Sequence, residues 1–409
     1  MPRVPCWAPG TTHNFTTTHA AGFQDGGSWK ETPEVKLQRM NRRALTLGAL
    51  AVSGALALTA CGSDDTSTGA KASGGASAPA AGSIKCDDAK GQLLADGSSA
   101  QKNAIDAWVQ NFTAACKGVQ INYKGSGSGA GVTAFTQGTV AFAGSDSALK
   151  PDAVTESKKI CTGGQAIDLP AVGGAIALAY NLPGVNDLVL DAPTLAKIFD
   201  SKISKWDDPA IKALNPKAKL PSTKIQAFHR SEESGTTDNL TKYFIAATPE
   251  NWKYEGGKAW QAKGGQGATG SSGIAAQVKQ TEGAIGYMEL SYAKDLSTVA
   301  VATGAAAPVK PSSDSATKAI AAAQVVGTGS DLTLKLDYKT KAEGAYPITL
   351  VTYEIACDKG NKADTLPATK AFLRYITSEE GQGILSGIDY APIPAEIIAK
   401  VRTTVESLA

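Results

Sequence analysis

The chain has 409 residues and a formal net charge of +2, from 40 Lys and Arg against 38 Asp and Glu. Beyond residue 60 the balance is 34 basic against 35 acidic side chains. No basic surface for nucleic acid follows from that, and any choice of an anion must be local to a pocket.

The front of the chain reads as targeting sequence rather than fold. Residues 1–39 have no hydrophobic periodicity and precede a complete signal beginning at Met40, so translation starts either at Met1 with an unusual leader or at Met40. Arg39, Arg42 and Arg43 form a basic n-region ahead of an apolar run from Ala44 to Leu58. That run is shorter than the roughly 18–20 residues a membrane-spanning helix needs. Residues 40–60 therefore read as a signal peptide. The sequence Leu58-Thr-Ala-Cys61 is similar to a bacterial lipobox, which implies cleavage before Cys61 and a lipid on its sulfur. Residues 61–83 are Gly, Ala, Ser and Thr with scattered charge, which cannot bury a core and read as a tether. About 22 such residues have an r.m.s. reach of about 25 Å. Of the six cysteines, Cys86, Cys116, Cys161 and Cys357 fall in the remaining domain. An even set in an oxidising compartment predicts two disulfides; of three possible pairings, Cys86–Cys116 with Cys161–Cys357 is preferred. The cysteines and histidines show no metal-ligand spacing.

Residues 84–409 are many for one core and suit two lobes. Strand-like and helix-like runs alternate, which predicts an α/β fold. Gly97-Ser98-Ser99-Ala100 opens a helix with Ile105, Trp108, Val109 and Phe112 on one face. Gly125-Ser-Gly-Ser-Gly-Ala-Gly131 follows the alternating run Val119, Ile121, Tyr123 and precedes a helix containing Val132 and Phe135. Arg230 is followed by Ser234, Gly235, Thr236 and Thr237, then by a helical run from Leu240 to Ile245. Each of these polar helix starts presents unpaired N–H groups and the positive end of a macrodipole. Arg230 adds a planar fork matched to an oxyanion. A single Ser-Gly-Thr-Thr start is usually an ordinary cap; three aimed at one anion are a site. Gly125, Gly127 and Ala130, with Asp146 about twenty residues on, also satisfy a dinucleotide fingerprint, but nothing downstream resembles redox or group-transfer chemistry. The runs 168–180 and 346–357 each read as a long buried strand pair, the second crossing back.

The domain as a whole resembles the phosphate-specific solute-binding proteins of bacterial ABC transporters. The resemblance rests on Gly125-Ser-Gly-Ser-Gly129, Ala143-Gly-Ser-Asp146, Leu169-Pro-Ala-Val-Gly-Gly174, Lys202-Ile-Ser-Lys-Trp-Asp-Asp-Pro-Ala-Ile211, Arg230 to Thr236, and Gly283-Ala-Ile-Gly-Tyr-Met-Glu-Leu-Ser-Tyr-Ala293. It implies a type II periplasmic-binding-protein fold with two crossover hinge segments and the ligand in a cleft between lobes. Lobe 1 would be 84–172 with 346–409, and lobe 2 would be 173–345. Inorganic phosphate would be held by Ser99, the backbone N–H of Ala100, Ser128, the acceptor Asp146, the clamp Arg230, and the helix-start nest of Ser234, Gly235 and Thr236. Two departures stand out. Glu232-Glu233 replaces the family's usual Asp-Gly, so that Glu232 supports the arginine from a longer stem or Glu233 takes that place. Ala100 stands where the family often has an aromatic residue. The implied partners are a membrane permease with its ATPase, and a membrane reached through the lipid on Cys61; the protein is read as an extracytoplasmic monomer without cofactor.

A carboxylate in an anion site has a chemical reason. Phosphate near neutral pH keeps at least one O–H for Asp146 to accept, whereas sulfate has none and leaves a desolvated acceptor facing an oxyanion. The alternative role for Asp146 is a cap on the turn that follows. Other readings are another oxyanion or a phosphorylated small molecule on the same scaffold, a purely structural surface lipoprotein, or a secreted phosphatase-like hydrolase. Against the last, His229 is the one histidine in the domain and has no nucleophile-and-base arrangement around it. The expected behaviour is binding without chemistry: lobe closure around the anion, then docking on the permease. Trp206 is expected to be a core or hinge-side aromatic.

Overall fold

The computed structural model describes residues 84–409. The early start, the signal peptide, Cys61 and the tether lie outside the described residues.

Thirteen strands run in chain order: β1 Gly91–Gly97, β2 Val119–Lys124, β3 Phe142–Ser145, β4 Ala166–Asn181, β5 Val189–Asp191, β6 Gln226–Arg230, β7 Gln266–Ala268, β8 Ala284–Glu289, β9 Ser297–Thr298, β10 Ala300–Ala302, β11 Gln324–Val325, β12 Leu334–Lys335 and β13 Thr349–Cys357. Nine of them form one sheet in the order β2-β1-β3-β13-β4-β8-β6-β7, with β9 beside β4. The helices that concern the site are α1 Lys102–Ala115, α2 Ser128–Thr136, α3 Pro151–Ser157, α4 Ala192–Phe199, α5 Pro209–Leu214, α6 Gly235–Ala247 and α7 Gly270–Gln280.

Two long strands bind the sheet's halves together. β13 pairs antiparallel with β4 from Ala166 to Ala175, and also with β3. From Ile176 to Asn181 β4 pairs instead with β8. Both strands are buried nearly throughout, which is why they appear in sequence as continuous apolar runs without alternation. The 168–180 run lies within one sixteen-residue strand, not the strand pair expected from its sequence. Gly173 and Gly174 serve close packing within it. A Cβ on Gly173 would lie 2.3 Å from the Ile320 methyl, and one on Gly174 would lie 3.1 Å from the Glu289 carboxylate. The 346–357 run likewise gives one strand, with a register shift at Thr352/Tyr353.

The helices expected after the three Gly/Ser loops are present as α1, α2 and α6. α1 buries Ile105, Trp108 and Phe112. Trp206 is fully buried, its indole N–H donating to the Gly283 carbonyl at 3.0 Å beside Tyr180. The four cysteines are bonded as Cys86–Cys116 and Cys161–Cys357, spanning 30 and 196 residues.

Candidate anion site

In each half of the sheet the parallel strands point their C-terminal ends at one place, where open α/β sheets bind ligands. β1 runs parallel to β2 and β3, and β6 runs parallel to β7 and β8. The loops that leave these ends start α1, α2, α6 and α7, so four helix N-termini converge rather than three. The fourth start, Gly270-Ser271-Ser272-Gly273, carried the same Gly/Ser signal in the sequence and was not singled out. The close approach of β1 to β3 depends on Gly97: its φ is +145°, and a Cβ there would fall 2.0 Å from the Gly144 carbonyl oxygen.

Arg230 ends β6 and is 1 % exposed. Its Nε donates to Glu232 Oε1 at 2.7 Å and Nη2 also pairs with that oxygen. Nη2 reaches Ser99 Oγ at 2.7 Å and Nη1 reaches Thr236 Oγ1 at 3.3 Å. Gly270 N–H donates to the same Glu232 oxygen at 3.1 Å. Glu232 is therefore the carboxylate that holds the guanidinium. Glu233 sits against the glycine loop instead: its carbonyl accepts from Gly129 N–H at 3.0 Å, and its side chain occupies the space a Cβ on Gly129 would need.

Ser99 and Ser128 share a telling arrangement. A hydroxyl offers one donor and two acceptor lone pairs. Ser99 Oγ accepts from Arg230 Nη2 and from Ser271 N–H at 3.1 Å. Ser128 Oγ accepts from Asp146 N–H and Gly235 N–H, both at 3.2 Å. With both lone pairs engaged, each hydroxyl is left only its proton to offer. Two obligate donors suit a ligand rich in acceptor oxygens.

Asp146 follows β3 and is buried. Oδ1 takes the Thr352 hydroxyl at 2.8 Å and Oδ2 the Thr236 hydroxyl at 3.2 Å. Its backbone carbonyl accepts from Asn239 Nδ2 at 2.7 Å. Burial raises its pKa above the usual carboxylate range, against the opposing pull of hydrogen bonds from Ser98, Thr352 and Thr236 and of the Arg230 charge. These contacts leave no place for Asp146 as a ribose acceptor at the end of a dinucleotide loop.

Ser234 caps α6, accepting from Thr236 N–H at 3.1 Å and Thr237 N–H at 3.4 Å. The backbone donors expected at Ala100, Gly235 and Thr236 all have protein partners: Ser98 Oγ for Ala100, Ser128 Oγ for Gly235, and Ser234 Oγ for Thr236. An incoming anion must share or displace those hydroxyl oxygens. His229 stacks on Trp260 with ring centroids 5.0 Å apart and its Nδ1 lies 3.0 Å from the Arg230 carbonyl, which makes it a packing residue.

Ser98, Thr352, Ser271 and Asn239 escaped the sequence reading. Thr352 and Glu354 were visible as polar residues inside an otherwise apolar strand. Glu354 is fully buried. Burial, reinforced by the nearby Asp146 charge and opposed by Gln101, pushes its pKa up to about 8. The folded state therefore holds a proton that the unfolded chain releases near its ordinary value of 4.5, so stability falls as pH rises between the two. We expect Glu354→Gln to flatten this fall. Calorimetric Tm values at steps from pH 5 to pH 8 check it, the variant gaining on the parent toward the alkaline end.

Residues 43–380 match the family model described as a PBP superfamily domain. Phosphate-binding protein PstS 3 of Mycobacterium tuberculosis is 42% identical over 376 residues, covering 91% of this chain and 100% of that protein. The chain belongs to the phosphate-binding protein family. A second member, phosphate-binding protein PstS 2 of the same organism, is 39% identical over 368 residues, covering 88% of this chain and 97% of its own. The fold is that of a high-affinity periplasmic phosphate-binding protein, PfluDING, solved bound with phosphate. The TM-score is 0.63 at 21% identity, over 76% of this chain and 93% of that one. The fold is thus the two-lobed type II architecture.

Proposed function

We propose that the chain binds inorganic phosphate outside the cytoplasm and delivers it to an ABC transporter permease, without chemistry on the ligand. The observation that carries this is the pairing of a buried Arg230 and two obligate hydroxyl donors with one buried acceptor, Asp146. The family supports the same reading. Lobe 1 is taken as 84–172 with 346–409 and lobe 2 as 173–345, so that Ser99, Ala100, Ser128 and Asp146 face Arg230, Ser234, Gly235 and Thr236 across the cleft. Glu232 orients the arginine. A lipid on Cys61, checked by the mass of the N-terminal peptide, would hold a monomer at the membrane within reach of the permease.

Specificity follows from proton counting. The carboxylate and the oxyanion can approach only with a proton between them. Phosphate brings that proton; sulfate does not, and must wait for Asp146 to take one from water. Calorimetric titration of the full chain should therefore give tight phosphate binding at pH 7.5 and sulfate binding that strengthens as pH falls. Asp146→Asn, which supplies its own N–H donor, should bind sulfate about as well at pH 7.5 as at pH 5.5 and lose at least about tenfold in phosphate preference. Parent protein that takes sulfate and phosphate equally at pH 7.5 would sink this account of Asp146.

A further inference from the structure

The donor loop at the start of α1 is held from behind as well as from the site. The Ser99 carbonyl accepts from the Tyr292 hydroxyl at 2.9 Å, and the Ala100 carbonyl from the Tyr390 hydroxyl at 2.6 Å. In a planar trans peptide the carbonyl and the N–H point opposite ways. The two tyrosines therefore grip the loop by its acceptors and leave its donor side to the anion. Between them lies Ser291, whose Oγ receives Asn103 Nδ2 at 2.9 Å and meets the Tyr390 hydroxyl at 3.1 Å and Glu289 Oε2 at 2.5 Å. Ser291 and Tyr292 belong to the 3-10 turn Leu290–Ala293 directly after β8, on the Arg230 side of the sheet. Ser99, Ala100 and Asn103 belong to the β1 side. Tyr390 comes from the returning chain, where Ala391 bridges Gly173 on β4.

We propose that Tyr292 and Ser291 are positioning residues that clasp the Ser99 loop from across the cleft and set how long bound phosphate is retained. This rests on the phosphate reading above. Neither residue donates to Arg230, Asp146 or the two serine hydroxyls. Their bonds join the two halves of the sheet next to the site, so they exist only when the halves meet. An anion entering an open cleft does not depend on them; an anion leaving a closed one must wait for them to break.

The test is a chase of radiolabelled inorganic phosphate from the full chain by excess unlabelled phosphate, with association followed by rapid filtration. For Tyr292→Phe with Ser291→Ala, koff should rise about tenfold while kon stays within twofold of the parent. Should the double variant fold poorly, Tyr292→Phe and Asn103→Ala alone should each raise koff about threefold. Asn103 is exposed and Tyr292→Phe keeps the ring, so both should fold. Unchanged koff in folded variants overturns the clasp. So does a fall in kon at constant koff, because that pattern means the donor loop itself was damaged. A parent chain that retains no label removes the phosphate reading, and the clasp with it.

Discussion

Arg230→Ala should reduce phosphate affinity by roughly 4 kcal/mol, about a thousandfold, in calorimetric titration of the full chain. The loss has two parts. The ligand forfeits a charged, forked donor, and Glu232, now without its guanidinium, remains as a carboxylate facing an anion. Ser99 also loses one of the two donors that turn its hydroxyl toward the site. Arg230→Lys restores charge but not the fork that reaches Glu232, Ser99 and Thr236 at once, so it should recover only part of the affinity. The double change Arg230→Ala with Glu232→Gln separates the two parts: it should bind phosphate better than Arg230→Ala alone. Thermal melts of the ligand-free variants distinguish lost binding from lost folding, and an Arg230→Ala protein with parental affinity would remove Arg230 from the site.

The second large effect concerns stability. The Cys161–Cys357 bond closes a loop of 196 residues. On the chain-entropy account, a loop that long is worth about 5 kcal/mol in the unfolded state. The Cys161→Ala, Cys357→Ala pair should therefore lower the denaturation midpoint far more than the corresponding pair at Cys86 and Cys116, where the separation is 30 residues and the same account gives about 3.5 kcal/mol. Urea titrations of the two double variants, with phosphate absent, rank them. Equal losses would mean that the bonds act through native-state contacts rather than through the unfolded chain.

The candidate site was more legible in the sequence than the course of the two long strands. Ser99, Ser128, Arg230 and Ser234 were legible because helix starts and anion sites use the same few residue types. The choice between Glu232 and Glu233 as support for Arg230 was not, since both are glutamates within three positions of it. Only the register of the loop decides which carboxylate meets the guanidinium. Thr352 comes to Asp146 from 206 residues away, a distance over which no local pattern carries information. The run 168–180 reads as a strand pair yet lies within one strand, its Gly173 and Gly174 packed against Ile320 and Glu289.

The position of β13 has a consequence for how the protein is made. It lies between β3 and β4, in the middle of the sheet, yet it follows them by some two hundred residues. During synthesis β1 to β4 leave the ribosome before β13, with a gap where their neighbour belongs. At about 5–20 residues per second, that gap stays open for roughly ten seconds or more, its edges unpaired. The half of the sheet around β8 and β6 can close from continuous sequence; the half around β1 cannot. Its exposed edges are therefore where a chaperone would act, and where crowded, over-expressed chains would find one another first.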